Sequence, residues 1–231
     1  MFNFSTIGII ECNFVEKFGI PRQPGLSPSS DAQIKMPKTR FNQEAIQDLE
    51  GCSHIWVIFV FDKLKKIPDK PKIRPPRLGG NKYVGVFSSR SPYRPNPIGL
   101  SLVEFKGITK TSDHIYILIS NHDLMNETPV LDIKPYSEFD TPEQATFNWQ
   151  NEAWDNLKVT FSETANNFLG RKPHLKEQIK ELLSNDPRPA YMKKKTRSEP
   201  HGLTIGNYNI KFLIEEHSCC VLSVAPVNKF T

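Results

Sequence analysis

Apolar residues alternate with polar ones, or run together between turn-forming residues, through most of the first half of the chain. The pattern predicts strands over residues 4–11, 53–61, 83–87, 100–109, 114–120 and 128–133, each rich in Val, Ile and aromatics and bounded by Gly, Pro, Asn or Asp. The run 53–61, Ser-His-Ile-Trp-Val-Ile-Phe-Val-Phe, is dense enough to read as a strand buried on both faces, which puts Trp56 and Phe59 in the core and makes His54 a hydrogen-bonded core residue. One helix is predicted here, over 41–49, with Phe41, Ala45 and Leu49 on one face and Asn42 as its N-cap. Six strands with little helix between them argue for an antiparallel barrel or sandwich and against a βαβ array. Beyond Tyr136 the chain turns polar around Trp149 and Trp154 and reads as a linker packed on the barrel. A helix follows over 174–183, with Pro173 at its start and Leu175, Ile179, Leu182 and Leu183 in helical spacing; short strands are predicted at 203–205, 208–214 and 219–224. The expected fold is β-dominated: an N-terminal antiparallel β-barrel over 1–145 and a linker with a small α+β domain over 146–231.

A chain of 231 residues can bury a sizeable core and suits one main domain with a smaller appendage. Residues 2–10 are interrupted by Asn3, Ser5 and Thr6, so they read as neither a signal peptide nor a membrane span, and a soluble cytoplasmic protein is expected. The four cysteines, Cys12, Cys52, Cys219 and Cys220, have no C-x-x-C spacing and read as reduced thiols, with no structural metal. The net charge of +5 is modest, but its distribution is uneven. Between Lys63 and Arg94 the basic residues Lys63, Lys65, Lys66, Lys70, Lys72, Arg74, Arg77, Lys82, Arg90 and Arg94 are opposed only by Asp69, a local field that favours a polyanion unless it is simply a solvated face. A second cluster, Lys193, Lys194, Lys195 and Arg197, lies near the C-terminal strands.

The chain lacks a G-x-x-x-x-G-K-[ST] phosphate loop, an H-E-x-x-H, a G-x-S-x-G elbow and a G-x-G-x-x-G after a strand, which disfavours the common nucleotide-binding and hydrolase layouts. What it has is the segment 85–101, in which Arg90 and Arg94 sit on a loop stiffened by Pro92, Pro95 and Pro97. Each proline fixes its own φ and pushes the preceding residue toward extended backbone, so such a loop loses little entropy on gripping an anion. Arg188, between Pro187 and Pro189, repeats that logic.

The segment 85–101 resembles the signature of the TsaA-like, or TrmO, family. So do Lys17-Phe-Gly-Ile-Pro-Arg-Gln-Pro-Gly-Leu26, the run 49–61, Arg74-Pro-Pro-Arg-Leu-Gly-Gly80, Thr128-Pro-Val-Leu-Asp-Ile-Lys-Pro-Tyr136 and Asp186-Pro-Arg-Pro-Ala-Tyr191, in family order and across nearly the whole chain. The resemblance implies a tRNA methyltransferase that takes its methyl from S-adenosyl-L-methionine and places it on N6 of N6-threonylcarbamoyladenosine at position 37 of the anticodon loop, and it implies a homodimer. It assigns the cofactor to Gln23, Pro24, Gly25, Phe61, Asp62, Arg90, Leu100, Leu131, Asp132, Ile133 and Lys134. Asp62 departs from the histidine usual there, and His201-Gly202 and Gly206-Asn207 depart from the family pattern near the C-terminus. Such a cofactor carries its own activated methyl group, so the protein must supply positioning, proton handling and no metal. Asp132, Asp186 and Tyr191 are candidates for the N6 proton, each with a plainer reading as a turn cap, a turn initiator and a core residue respectively. Arg74, Arg77, Arg94 and Arg188 are candidates for the RNA phosphates, and Tyr93 for stacking on an unpaired base. Two other readings stay open: a non-catalytic RNA-binding barrel, and a methyltransferase for another nucleoside or a small molecule.

Overall fold

The computed structural model describes residues 3–64, 71–75, 78–149, 156–189, 192 and 199–227. Lys65, Lys66, Lys70, Arg77, Trp154, Tyr191, the cluster Lys193 to Lys195 and Arg197 lie outside them. Six strands form the larger sheet: β1 (Gly8–Cys12), β2 (Asp31–Pro37), β3 (His54–Val60), β6 (Ile98–Lys110), β7 (His114–Ser120) and β8 (Pro129–Pro135). They pair antiparallel in the order β1-β2-β7-β6-β3-β8, and β8 pairs back onto β1 so that the sheet closes into a barrel. The two-residue strands β4 (Lys72–Ile73) and β5 (Val84–Gly85) pair apart from it.

Alternation closes this barrel. Ile55, Val57 and Phe59 of β3, Ile115, Ile117 and Ile119 of β7 and Ala32, Ile34 and Met36 of β2 all point into one core, and the residues between them face outward. β3 is therefore buried on one face, contrary to the expectation drawn from its unbroken apolar run. Trp56 lies half-buried on the outer face, and its indole N–H donates to Asp140 Oδ2 at 3.1 Å. At Trp56 the outer face is covered by the chain that returns after β8, through Tyr136 and Asp140, which is why the ring is tolerated there.

Two further expectations change. Residues 83–87 contribute only the short β5 and a 3₁₀ turn at Val86–Ser88; the sixth barrel strand is β2, in a segment left unassigned by the sequence. The first helix, α1 (Arg40–Ala45), starts earlier and is rotated. Thr39 caps it by accepting the Asn42 N–H, Asn42 turns inward to donate to the Pro37 carbonyl at 2.8 Å, and Phe41 is left 75 % exposed. Asp48, in the left-handed region at φ 63°, separates it from the turn containing Leu49.

The second core lies under a sheet of order β10-β11-β12-β9, formed by β9 (Lys158–Phe161), β10 (His201–Ile205), β11 (Tyr208–Glu215) and β12 (Ser218–Pro226), with β12 and β9 parallel. Helices α2 (Glu163–Leu169), capped by Ser162, and α3 (Pro173–Ser184) cover it, burying Ala165, Leu169, Ile179, Leu182 and Leu183. Pro173 stands in the first turn of α3, where its missing N–H costs nothing. The connection between β1 and β2 also enters this core through Phe14, with Phe18 and Ile20 packed on it, so an N-terminal loop is held by the C-terminal helices.

That grip is specific. Glu181 of α3 accepts from Ser27 Oγ, Ser29 N and Ser29 Oγ at 2.9, 3.0 and 2.5 Å; Asn185 donates to the Leu26 carbonyl, and Gln178 to Ser30 Oγ. The loop that carries Gln23, Pro24 and Gly25 is thus fixed along its C-terminal side.

Candidate active site

At one end of the barrel a cavity of about 560 Å³ opens between four segments: Lys17 to Arg22, the end of β3 with residues 61–64, the proline-rich loop with the start of β6, and the β7–β8 connection. Backbone bonds within the loop set its shape: Arg94 N–H donates to the Pro92 carbonyl at 2.9 Å and Ile98 N–H to the Asn96 carbonyl at 2.7 Å. Arg94 turns back to donate to the carbonyls of Ser89 and Ser91, bracing the loop from inside. Arg90 is exposed at the cavity wall and has no hydrogen-bond or ion-pair partner among the described residues. An unpartnered guanidinium on a pre-shaped loop is ready for a carboxylate or phosphate.

Gly99 of β6 stands opposite Phe59 in the β3–β6 pairing, and a Cβ there would fall 2.2 Å from the Phe59 ring. The ring therefore lies over the glycine and forms part of the cavity wall, with Phe61 packed edge-on to it at 5.0 Å. A bare Cα here is a requirement of close approach, as overpacking would displace the ring.

Asp123, in the β7–β8 connection, also lines the cavity. Ser101 Oγ, buried on β6, donates to Asp123 Oδ1 at 2.5 Å. Burial pushes the Asp123 carboxyl up to about 6, while the Ser101 hydroxyl and the Arg90 charge pull the other way. The group keeps partial access to solvent through the cavity. Its neighbour His122 is fully enclosed: Nδ1 accepts the Leu124 N–H at 3.1 Å, Nε2 faces the Asp31 carbonyl at 3.4 Å, and burial lowers its pKa to about 4. Asn121 Oδ1 accepts the Gly25 N–H at 2.9 Å, so the same connection holds the Gln23-Pro24-Gly25 loop.

These two neighbours have opposite linkage. Asp123, raised in the fold, contributes stability that is present below its ordinary value near 3.8 and is lost as pH rises through about 6. His122, depressed in the fold, contributes stability that is present above 6.5 and is lost as pH falls through about 4. Between those limits the two slopes oppose each other, so Asp123→Asn exposes the histidine's. Relative to the wild type, the variant is expected to lose roughly 2 kcal/mol of unfolding free energy between pH 6.5 and pH 4, read from urea denaturation at both values.

The other sequence-derived positions divide clearly. Phe61, Asp62, Arg90 and Leu100 line the cavity, with Asp62 exposed at its mouth. Gln23, Pro24 and Gly25 follow directly on the lining residue Arg22. Leu131, Asp132, Ile133 and Lys134 lie on β8 and do not line the cavity; Ile58 pairs with Leu100 on one side and Asp132 on the other, so these three share one row across the sheet. Asp132 is paired with Lys134 at 2.9 Å. Asp186 is bound by Arg188 through Nε and Nη2 at 2.9 and 3.1 Å, also accepts the Arg188 N–H, and has φ 42°, the turn-initiating role that its place before Pro187 suggested. Arg74 is exposed and stacks on Tyr83 at 4.4 Å. Tyr93, 47 % exposed, lines the cavity mouth.

Sequence reasoning missed Asp123 and Ser101. Asp123 stands five residues before Thr128 in a polar stretch and reads as an ordinary loop acid; the available signal was an acid flanked by His122 and Leu124, both of which prove buried. A second depression, about 700 Å³, lies beside β1 and β2, but its Glu11 is already engaged by Gln33 and Lys35 at 2.8 and 3.0 Å. Burial raises Cys12 beside it to about 11 and Cys219 to about 12, and all four cysteines are free, so the two thiols are poor nucleophiles. No helix among the described residues is long and apolar enough to cross a membrane.

Comparison with known proteins places this geometry. Residues 9–141 match the tRNA-methyltransferase O N-terminal domain and residues 155–227 the TrmO C-terminal domain. The tRNA (adenine(37)-N6)-methyltransferase of Escherichia coli K12 is 36% identical over 231 residues, covering 97% of this chain and 98% of that protein. The human tRNA (adenine(37)-N6)-methyltransferase is 42% identical over 153 residues, covering 63% of this chain and 34% of that protein. The crystal structure of TrmO from Pseudomonas aeruginosa superposes with a TM-score of 0.73 at 29% identity, covering 97% of this chain and 99% of that one. The chain belongs to the tRNA-methyltransferase O family.

Proposed function

We propose that this chain is an S-adenosyl-L-methionine-dependent tRNA methyltransferase that acts on N6 of N6-threonylcarbamoyladenosine at position 37, in the cytoplasm. The observation that carries the reading is the cavity itself, which joins an unpartnered Arg90, apolar walls and a half-buried carboxylate in a chain of this family. Its size lies within the range of sites for ligands of nucleoside dimensions. When bound, the cofactor supplies a methyl group on a sulfonium centre, already activated for displacement. Arg90 holds its carboxylate, Phe61 and Leu100 offer apolar surface, and the Gln23-Pro24-Gly25 loop supplies backbone and amide groups.

The row Leu100, Ile58, Asp132 continues that surface onto the outside of the barrel, where Ile98 and Leu100 are 39 % and 49 % exposed. In this reading a second copy of the chain covers the row, and Leu131 to Lys134 complete the cofactor site there. The division into a barrel over 1–145 and a tRNA-holding unit over 146–231 belongs to the same reading. Exposed Lys72, Arg74 and Lys82 supply sequence-independent attraction to phosphate, with Arg77 beside them in the chain. Arg94 and Arg188 act through the turns they hold.

The test is calorimetric titration of the protein with S-adenosyl-L-methionine, followed by mass spectrometry of nucleosides from tRNA incubated with both. Cofactor binding and a new methyl on the tRNA support the reading. RNA binding with no cofactor binding would replace it with a non-catalytic RNA-binding barrel.

A further inference from the structure

We propose that Asp123 is a catalytic residue, the group that receives the N6 proton of the acceptor base as the methyl arrives. The proposal rests on the functional reading above. In the step, N6 forms the new bond to the methyl carbon, the carbon–sulfur bond breaks with its electron pair remaining on sulfur, and the N6 proton passes to an Asp123 oxygen, from which it later leaves to water. Atoms and charge balance without any further reactant.

Position is the first argument. Asp123 lies inside the cavity, whereas Asp62 is exposed at its mouth, and Asp132 and Asp186 do not line it. Partnering is the second. Asp132 and Asp186 are each held by a cation at 2.9 Å and would have to give up that ion pair to take a proton. Asp123 has no salt bridge among the described residues; it is oriented by a neutral hydroxyl, Ser101 Oγ, from a buried position on a barrel strand. Rigidity is the third. The connection that carries it is pinned on both sides, by His122 and Leu124 in the core and by the bond from Gly25 to Asn121. A base must be within reach of its proton before its acidity matters, and a fixed backbone provides that.

The acidity is suitable as well. The charged groups lining the cavity with it are Arg90 and Arg94 on the proline loop, Lys17 and Arg22 before it in the chain, and Asp62 and Lys63 after β3. Burial outweighs Arg90, leaving a carboxylate that is ionised at neutral pH yet more basic than an exposed aspartate.

The experiment is single-turnover methyl transfer to tRNA bearing threonylcarbamoyladenosine across pH 4.5–8, with calorimetric cofactor affinity and a ¹³C NMR titration of the Asp123 carboxyl in the free protein. The wild-type rate is expected to rise with pH through one ionisation at about 6, matching the NMR midpoint. Asp123→Asn should lose on the order of 100-fold or more in rate, lose that pH dependence and bind cofactor within about threefold of wild type. Ser101→Ala removes a bond that favours the ionised form, so it should move both midpoints upward. An Asp123→Asn rate within about threefold of wild type, with the profile intact, would overturn the proposal while leaving the methyltransferase standing. A rate restored by saturating cofactor would overturn it too, by making Asp123 a cofactor ligand. A wild type that moves no methyl to tRNA sinks the functional reading, and this proposal with it.

Discussion

Asp186→Ala is expected to destabilise the protein by about 3–5 kcal/mol, measured by urea denaturation at pH 7. Asp186 and Arg188 form a forked ion pair whose side chains are only 7% and 14% exposed, so removing the acid leaves a guanidinium buried without its counter-charge. The backbone adds to the loss, since Asp186 sits at φ 42°, a conformation that aspartate and asparagine tolerate better than alanine. Asp186→Asn keeps that tolerance and should cost less. Asp186→Ala combined with Arg188→Met removes the orphaned charge and should recover part of the loss. The effect should reach the cavity, because Arg22 donates to the carbonyls of Asp186 and Arg188 at 3.3 and 2.9 Å and lines the cavity on its other side. A loss below about 1 kcal/mol would mean that solvent screens the pair and that this turn does not anchor the loop.

Arg90→Ala is expected to weaken S-adenosyl-L-methionine binding by about 10- to 100-fold, the worth of one charge-assisted contact, with a much smaller change in overall tRNA affinity. Arg90 is free to bind because its neighbour Arg94 does the work of holding the loop. Lys72→Ala with Lys82→Ala should behave in the opposite way: cofactor affinity unchanged, tRNA affinity reduced, and the slope of its salt dependence lower by about one for each lysine that meets a phosphate. Calorimetry for the cofactor and filter binding for tRNA at several salt concentrations separate the two. Equal loss of both ligands in both variants would contradict the division of labour between loop and basic surface.

The two variants bear on different levels of what could be read from sequence. Loop 85–101 was legible because proline chemistry acts locally: Pro92, Pro95 and Pro97 constrain their own neighbours in any context. Strands β1, β3, β6, β7 and β8 were legible from β-branched and aromatic density, and α3 from its spacing and Pro173. β2 was not, because Asp-Ala-Gln-Ile-Lys-Met-Pro alternates cleanly but holds one β-branched residue and ends in proline; only pairing with β1 and β7 makes it a strand. The sidedness of β3 was misjudged because outer Trp56 and inner Phe59 look alike in composition, and what separates them is the Asp140 acceptor contributed by a distant turn. β9 and α2 are short and polar, and they exist because β12 and the second core recruit them.

The site divides in the same way. Arg90, Phe61, Asp62 and Leu100 converge because they flank the strand ends that the loop joins. Asp123 needed the fold: nothing in its local sequence shows that Ser101, on the strand paired with β7, will reach it. Leu131 to Lys134 meet Leu100 only through Ile58, a relation of strand register and not of spacing along the chain.

The most direct test of the central claim is transfer of an isotope-labelled methyl group from S-adenosyl-L-methionine to two preparations of one tRNA, with and without the threonylcarbamoyl group on adenosine 37. Label confined to N6 of threonylcarbamoyladenosine, located by nucleoside mass spectrometry and absent from the unmodified tRNA, is the predicted result. Equal labelling of both preparations, or label on another nucleoside, would contradict it.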